Sequence, residues 1–155
     1  MNQKWIWDEE NFPNCFSLAL IREDEKFENC FKVSKRVNEI DGILAFVDYV
    51  QAQDDYLVGF NSLNWDYPIL HKILAIRHNL PKCGEECARL FYTFAEEQIA
   101  SMKGEFANTV KTDDRYVKQI DLFRLNHFDN KAKMTSLKML EFNMLSDNIE
   151  DLPFP

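Results

Sequence analysis

Two stretches carry residue types that could do chemistry. The first is Trp7-Asp8-Glu9-Glu10-Asn11-Phe12-Pro13, three acids in a row after the apolar run Trp5-Ile6-Trp7. Side chains alternate between the two faces of a strand, so Asp8 and Glu10 would share a face and Glu9 would point the other way. Two carboxylates that close repel each other unless a cation lies between them. A hard divalent ion, Mg²⁺ or Mn²⁺, suits such oxygen donors. The second stretch runs from Leu57 to Leu70, LVGFNSLNWDYPIL. Apolar Leu57-Val58 leads through Gly59 to polar Asn61 and Asn64, and Asp66 then opens a helix. An acid where a strand hands over to a helix projects from the end of a sheet, where open α/β sheets place their sites. If that strand neighbours the first one, Asp66 meets Asp8 and Glu10.

Such a meeting needs a sheet to carry it. Lys4–Asp8, Cys15–Arg22 and Phe27–Val33 read as strands, the last with a near period of two. The charged turn Glu23-Asp24-Glu25 separates the second from the third, and two successive hairpins give an antiparallel meander. Ile40, Ile43, Leu44, Val47 and Val50 then form a helical stripe within Asn38–Gln51. Asp55–Phe60 is a short buried strand, which makes a parallel crossover back into the sheet. Pro68 suits the first turn of a helix reaching about His78. Glu85–Met102 is a further helix, Tyr116–Phe123 a last strand and Ser136–Met144 a short helix. The expectation is one α/β domain over residues 1–155, built on a mixed sheet of about five strands, with no internal repeat and no linker.

Composition sets the limits. The 155 residues include thirteen Phe and are 46% apolar, enough for one sizeable core. No apolar run is long enough to span a membrane and no signal peptide opens the chain, so the expected home is a cytoplasm. Cys15, Cys30, Cys83 and Cys87 lack zinc-ligand spacing and read as free thiols, although Cys15 and Cys30 would come near one another across a hairpin. A net charge of −8 excludes binding of nucleic acid by bulk attraction. Segment 110–140 differs, with seven Lys/Arg against four Asp. It is either a modest basic rim beside an acidic pocket or ordinary surface variation.

Together the motifs resemble those of the DEDD-type 3′→5′ exonucleases of the ribonuclease H-like fold. Asp8-x-Glu10 with Phe12 resembles the first exonuclease motif. Asn61-Ser-Leu-Asn64-Trp65-Asp66-Tyr-Pro-Ile-Leu70 resembles the second, in the form found in family B DNA polymerases. DEENFPNCF and IDLFRLNHFDNKAKMTSLKMLEFNM look like the exonuclease region of bacteriophage polymerases, so the similarity runs over most of the chain. It implies a ribonuclease H-like five-stranded mixed sheet with flanking helices. It further implies a proofreading-type hydrolase acting on the 3′ end of single-stranded DNA, with a polymerase domain in a longer chain. Asp8, Glu10 and Asp66 would be the catalytic metal ligands, holding two Mg²⁺ or Mn²⁺ ions that activate a water and stabilise the leaving 3′ oxygen. Asn61 and Asn64 would position substrate or shape the turn, and Phe12 would stack on a terminal base.

Two departures from that pattern stand out. The residue between the motif acids is normally apolar and core-facing, whereas here it is Glu9, which needs solvent or a partner. The family also takes a fourth acid from a later helix, as Tyr-x-x-x-Asp or His-x-x-x-x-Asp, and neither spacing occurs here. Either this is the front part of a longer protein, incomplete at its C-terminus, or a variant that binds nucleic acid without cleaving it. A third reading is an acidic interaction domain whose motifs are accidental.

Simpler roles exist for the remaining polar residues. Asp121, mid-strand, is a tempting fourth acid but more in keeping with a non-catalytic one. His71 and His78 read as helix-surface histidines. His127-Phe128-Asp129 reads as a loop, and Lys131, Lys133 and Lys138 as a solvated face or as phosphate contacts.

Overall fold

The structure, a computed structural model, describes residues 2–103, 108–126 and 136–138. The chain divides into two compact units, Met1–Leu122 and Phe123–Pro155. Among the described residues the first holds five strands: β1 (Lys4–Phe12), β2 (Cys15–Arg22), β3 (Glu28–Ser34), β4 (Tyr56–Gly59) and β5 (Lys118–Asp121). Its helices are α1 (Ile40–Ala52), α2 (Asp66–Ala75) and α3 (Gly84–Met102), and α4 (Leu122–Asn126) follows β5 directly. The strands form one sheet in the order β3-β2-β1-β4-β5. β1, β2 and β3 pair antiparallel, while β1–β4 and β4–β5 pair parallel. The expected α/β class, mixed five-stranded sheet and flanking helices are all present.

The period-two pattern decides which face of β1 is covered. Trp5, Trp7 and Glu9 are buried, whereas Ile6, Asp8 and Glu10 are exposed. Register places Trp7 opposite Leu20, Glu9 opposite Leu18 and Asn11 opposite Phe16, continuing that covered face onto β2. Phe91 of α3 packs edge-on against Phe16, with ring centroids 5.2 Å apart. Phe46 of α1 packs edge-on against Trp5, at 5.2 Å. α1 buries Ile40, Ile43, Val47 and Val50, nearly the stripe that the sequence predicts; Leu44 is only partly buried. The starts of β1 and β4 are tied by Asp55, which is buried and accepts hydrogen bonds from Gln3 N–H (2.7 Å) and Trp5 Nε1–H (3.1 Å).

Several expected boundaries move. β1 runs four residues past Asp8, to Phe12, because β2 supplies an antiparallel partner for every residue from Trp5 to Phe12. α2 begins at Asp66 and ends at Ala75, with a separate 3₁₀ turn at Arg77–Asn79. His71 and His78 therefore do not share one helix. His71 is partly buried, its ring 5.9 Å from that of Tyr67 and 5.1 Å from that of Tyr116, and burial lowers its pKa. The last strand is Lys118–Asp121 rather than Tyr116–Phe123, because the chain turns into α4 at Leu122. Cys15 pairs with Ser34 and Cys30 with Ala19, so the two cysteines sit at different levels of the β2–β3 ladder, and all four thiols are free. Most of the helix expected at Ser136–Met144 lies outside the described residues, as do His127-Phe128-Asp129, Lys131 and Lys133. Among the described residues no helix is long and apolar enough to cross a membrane.

Candidate functional site

β1, β4 and β5 run in the same direction, so their carboxyl ends lie side by side. The β1–β4 ladder ends at Ile6↔Val58, and β4 itself ends at Gly59, level with Asp121 of β5. Beyond that point, among the described residues, β1 continues with a partner on one edge only, β2. Asp8, Glu9 and Glu10 thus stand at the rim of the sheet, beside the chain that leaves β4.

That chain is a tight turn with a specific construction. Gly59 allows close approach: a Cβ there would lie 2.6 Å from Ser62 Cβ and 3.3 Å from Trp7 Nε1. Asn61 takes a left-handed conformation, with φ of 58°, which Asn tolerates better than most residues. Its backbone N–H donates to Asp121 Oδ1 at 2.8 Å, and that of Leu63 donates to Asp121 Oδ2 at 3.1 Å. Asn64 Nδ2 donates to Asn61 Oδ1 at 2.8 Å. Tyr67 N–H donates to Ser62 O at 2.8 Å as the chain enters α2. From α3, the fully buried Gln98 donates through Nε2 to Asn64 O (2.6 Å) and to Asn108 O (2.9 Å).

The turn delivers Asp66, the first residue of α2, to the acids of β1. Burial raises its carboxyl pKa to about 7, reinforced by Asp8 and, more weakly, by Asp121 and Glu10, and opposed by its own backbone N–H. Asp8 is raised as well, chiefly by burial. Glu9 is raised well above the usual carboxylate range, first by burial and then by Asp66, with Asp8 and Glu10 adding to it. Carboxylates drawn from segments more than fifty residues apart therefore act on one another at a single place. Phe12 shares the Asp8/Glu10 face of β1 and is 53% exposed.

The charges of Asp8 and Glu10 both act on Asp66. Among the described residues, however, no group of three His, Cys, Asp or Glu side chains is arranged to hold a metal ion. Asn61 and Asn64 bond to each other and build the turn. Asp121 is buried and spends both oxygens on the backbone of that turn, the office of a brace rather than of a free acid. Lys118 stands at the opposite end of β5, bridged to Asp54, so it forms no basic rim to the acids.

Sequence reasoning missed Gln98, Asp55 and the Glu9–Asn11 contact. Asn11 Nδ2 donates to Glu9 Oε1 at 3.0 Å and is the partner that Glu9 requires. Only the i, i+2 spacing hints at it, and only once β1 is extended past Asp8.

What fold and site define together is an open α/β sheet with a cluster of mutually repelling carboxylates at the carboxyl ends of its parallel strands. Comparison with protein-family models, with curated proteins and with solved structures finds no match.

Proposed function

We propose that the chain is a metal-dependent 3′→5′ exonuclease domain of ribonuclease H-like architecture, hydrolysing the terminal phosphodiester of single-stranded DNA. The main support is the approach of Asp66 to Asp8 and Glu10, expressed in the raised pKa of Asp66 and the charges that cause it. The strand order, three antiparallel strands and then two parallel ones, is compatible with a ribonuclease H-like arrangement. A proofreading role beside a phage-type polymerase rests on the motif resemblance alone.

The donors fit a hard cation in kind, being carboxylate oxygens without a thiolate or imidazole among them. Asp8, Glu10 and Asp66 would hold Mg²⁺ or Mn²⁺, which when bound supplies a Lewis acid and a water acidified towards neutrality. The chain's own contribution is to aim these groups. Asp66 carries a proton below about pH 7 that a cation must displace, so cation affinity rises as pH climbs through that value. Phe12, on the face of Asp8 and Glu10, offers its ring to a terminal base. The asparagine turn, braced by Asp121 and Gln98, fixes where Asp66 enters.

The direct test uses this chain, Mn²⁺ and a single-stranded oligonucleotide labelled at its 5′ end. A ladder of shortened products is expected, lost in Asp8→Ala, in Asp66→Ala and in EDTA. A ladder unchanged in Asp66→Ala would sink the proposal. A second reading, a nucleic-acid-binding module without catalysis, is favoured by the lack of a three-acid cluster at ligating geometry among the described residues. Binding of DNA ends with no metal-dependent turnover selects it.

A further inference from the structure

Glu9 lies outside the triad of Asp8, Glu10 and Asp66, and its position is chemically expensive. It is 7% exposed, on the covered face of β1. Asn11 engages Oε1, while Oε2 is buried and finds no hydrogen-bond partner among the described residues. The charges that act on it, Asp66, Asp8 and Glu10, are all negative. A buried carboxyl with an unmatched oxygen among like charges stays ionised only where something compensates it, and otherwise takes up a proton. Such an exception in a folded protein calls for a specific cause, of which a bound ion is one.

The strand geometry shows how a cation would reach Glu9. Among the described residues only Lys4–Ile6 of β1 pair with β4, and no described strand lies beside the edge of Trp7–Phe12 away from β2. At such an edge, groups from both faces of a strand can approach one point. This is also the place where the turn after β4 brings in Asp66.

We propose that Glu9 is itself a cation ligand, its free Oε2 joining Asp66 from the covered face of β1 to bind a hard divalent ion. The inference rests on the metal-dependent reading above and extends it to a residue that the exposed pair Asp8 and Glu10 does not include. Asn11 then serves as the outer partner that orients the ligand by holding its other oxygen, as partners of metal-bound carboxylates do. Asn11 acts through Glu9 and is a positioning residue.

The test is calorimetric titration of Mn²⁺ into this chain, freed of metal, with thermal unfolding in EDTA as a second readout. Glu9→Gln preserves shape and an acceptor for Asn11 while removing the charge; Glu9→Leu removes the buried polarity altogether. Both are expected to weaken Mn²⁺ binding by at least ~10-fold and to raise the unfolding temperature in EDTA. Affinity within about twofold of wild type in both variants, with Asp66→Asn abolishing binding, overturns the role of Glu9 and leaves the metal reading standing. Absence of Mn²⁺ binding by the wild-type chain overturns both. Should Glu9→Leu fail to fold, the isosteric Gln variant decides alone.

Discussion

At the scale of single residues, protonation at the site depends on pH in a direction that can be checked. Asp66 has a folded pKa of about 7, above its unfolded value of 3.8. The folded state therefore binds a proton that the unfolded state has lost over that interval. Stability of the metal-free protein is highest below about pH 4 as far as this group is concerned, and it falls as pH rises towards 7. Glu9 is shifted the same way. The slope is at most ~1.4 kcal/mol per pH unit per group, and less for the partly exposed Asp66. Unfolding in EDTA at pH 5 and pH 8 should thus give the lower midpoint at pH 8. Asp66→Asn should flatten the difference, and a wild-type profile that rises with pH would contradict this account.

Asp121 gives a second test at the same scale. Its two oxygens each accept a backbone N–H of the turn. Hydrogen bonds to a charged group contribute about 1.5–3 kcal/mol each. Asp121→Ala should therefore lower stability by about 3 kcal/mol. Asp121→Asn should lose nearly as much, because its amide NH₂ opposes one of the two N–H donors. Chemical denaturation measures both. Full stability in Asp121→Asn with activity abolished would instead mark a reacting acid.

Among elements, the turn after β4 matters more than any helix. Its path requires Gly59, where a Cβ would meet Ser62 at 2.6 Å, and it is held to α3 by Gln98. Gly59→Ala forces Ser62 and the turn to shift, at a cost of about 1–3 kcal/mol. Gln98→Leu leaves Asn64 O and Asn108 O without this donor and should cost about 2 kcal/mol. Both should disturb the approach of Asp66 to Asp8, read as a loss of Mn²⁺ affinity larger than in a control variant of equal stability. Equal losses would show that the turn's detailed shape is immaterial. Most elements were legible because their periods are strong: the α1 stripe and the near period of two in β3 follow directly from residue spacing. The far half of β1 was not legible. Charged residues 8–10 look like a strand's end, and only pairing with β2 extends the strand to Phe12.

For the whole molecule, the net charge of −8 and the local carboxylate cluster both favour a cation. A ligand that binds only the folded state at a hundred times its dissociation constant stabilises by ~2.7 kcal/mol. Saturating Mn²⁺ should raise the unfolding midpoint by several degrees and should turn the falling pH profile into a rising one, since deprotonated carboxylates bind the ion. Scanning calorimetry with and without Mn²⁺ checks it. A shift reproduced by an equal ionic strength of NaCl would reduce the effect to screening of a net charge.

By itself the sequence determined the α/β class, the helix stripe and the identity of the acids. These depend on side-chain type and on periods of 2 and 3.6, which are local properties. Tertiary structure alone decided that the charge of Asp8 acts on Asp66, that Asp121 accepts from the Asn61 and Leu63 backbone, and that Glu9 is buried with one oxygen held by Asn11 and the other without a hydrogen-bond partner among the described residues. Each of those depends on which strands become neighbours and where one ladder stops short of another, and pairing between segments fifty residues apart leaves no periodic trace in either of them.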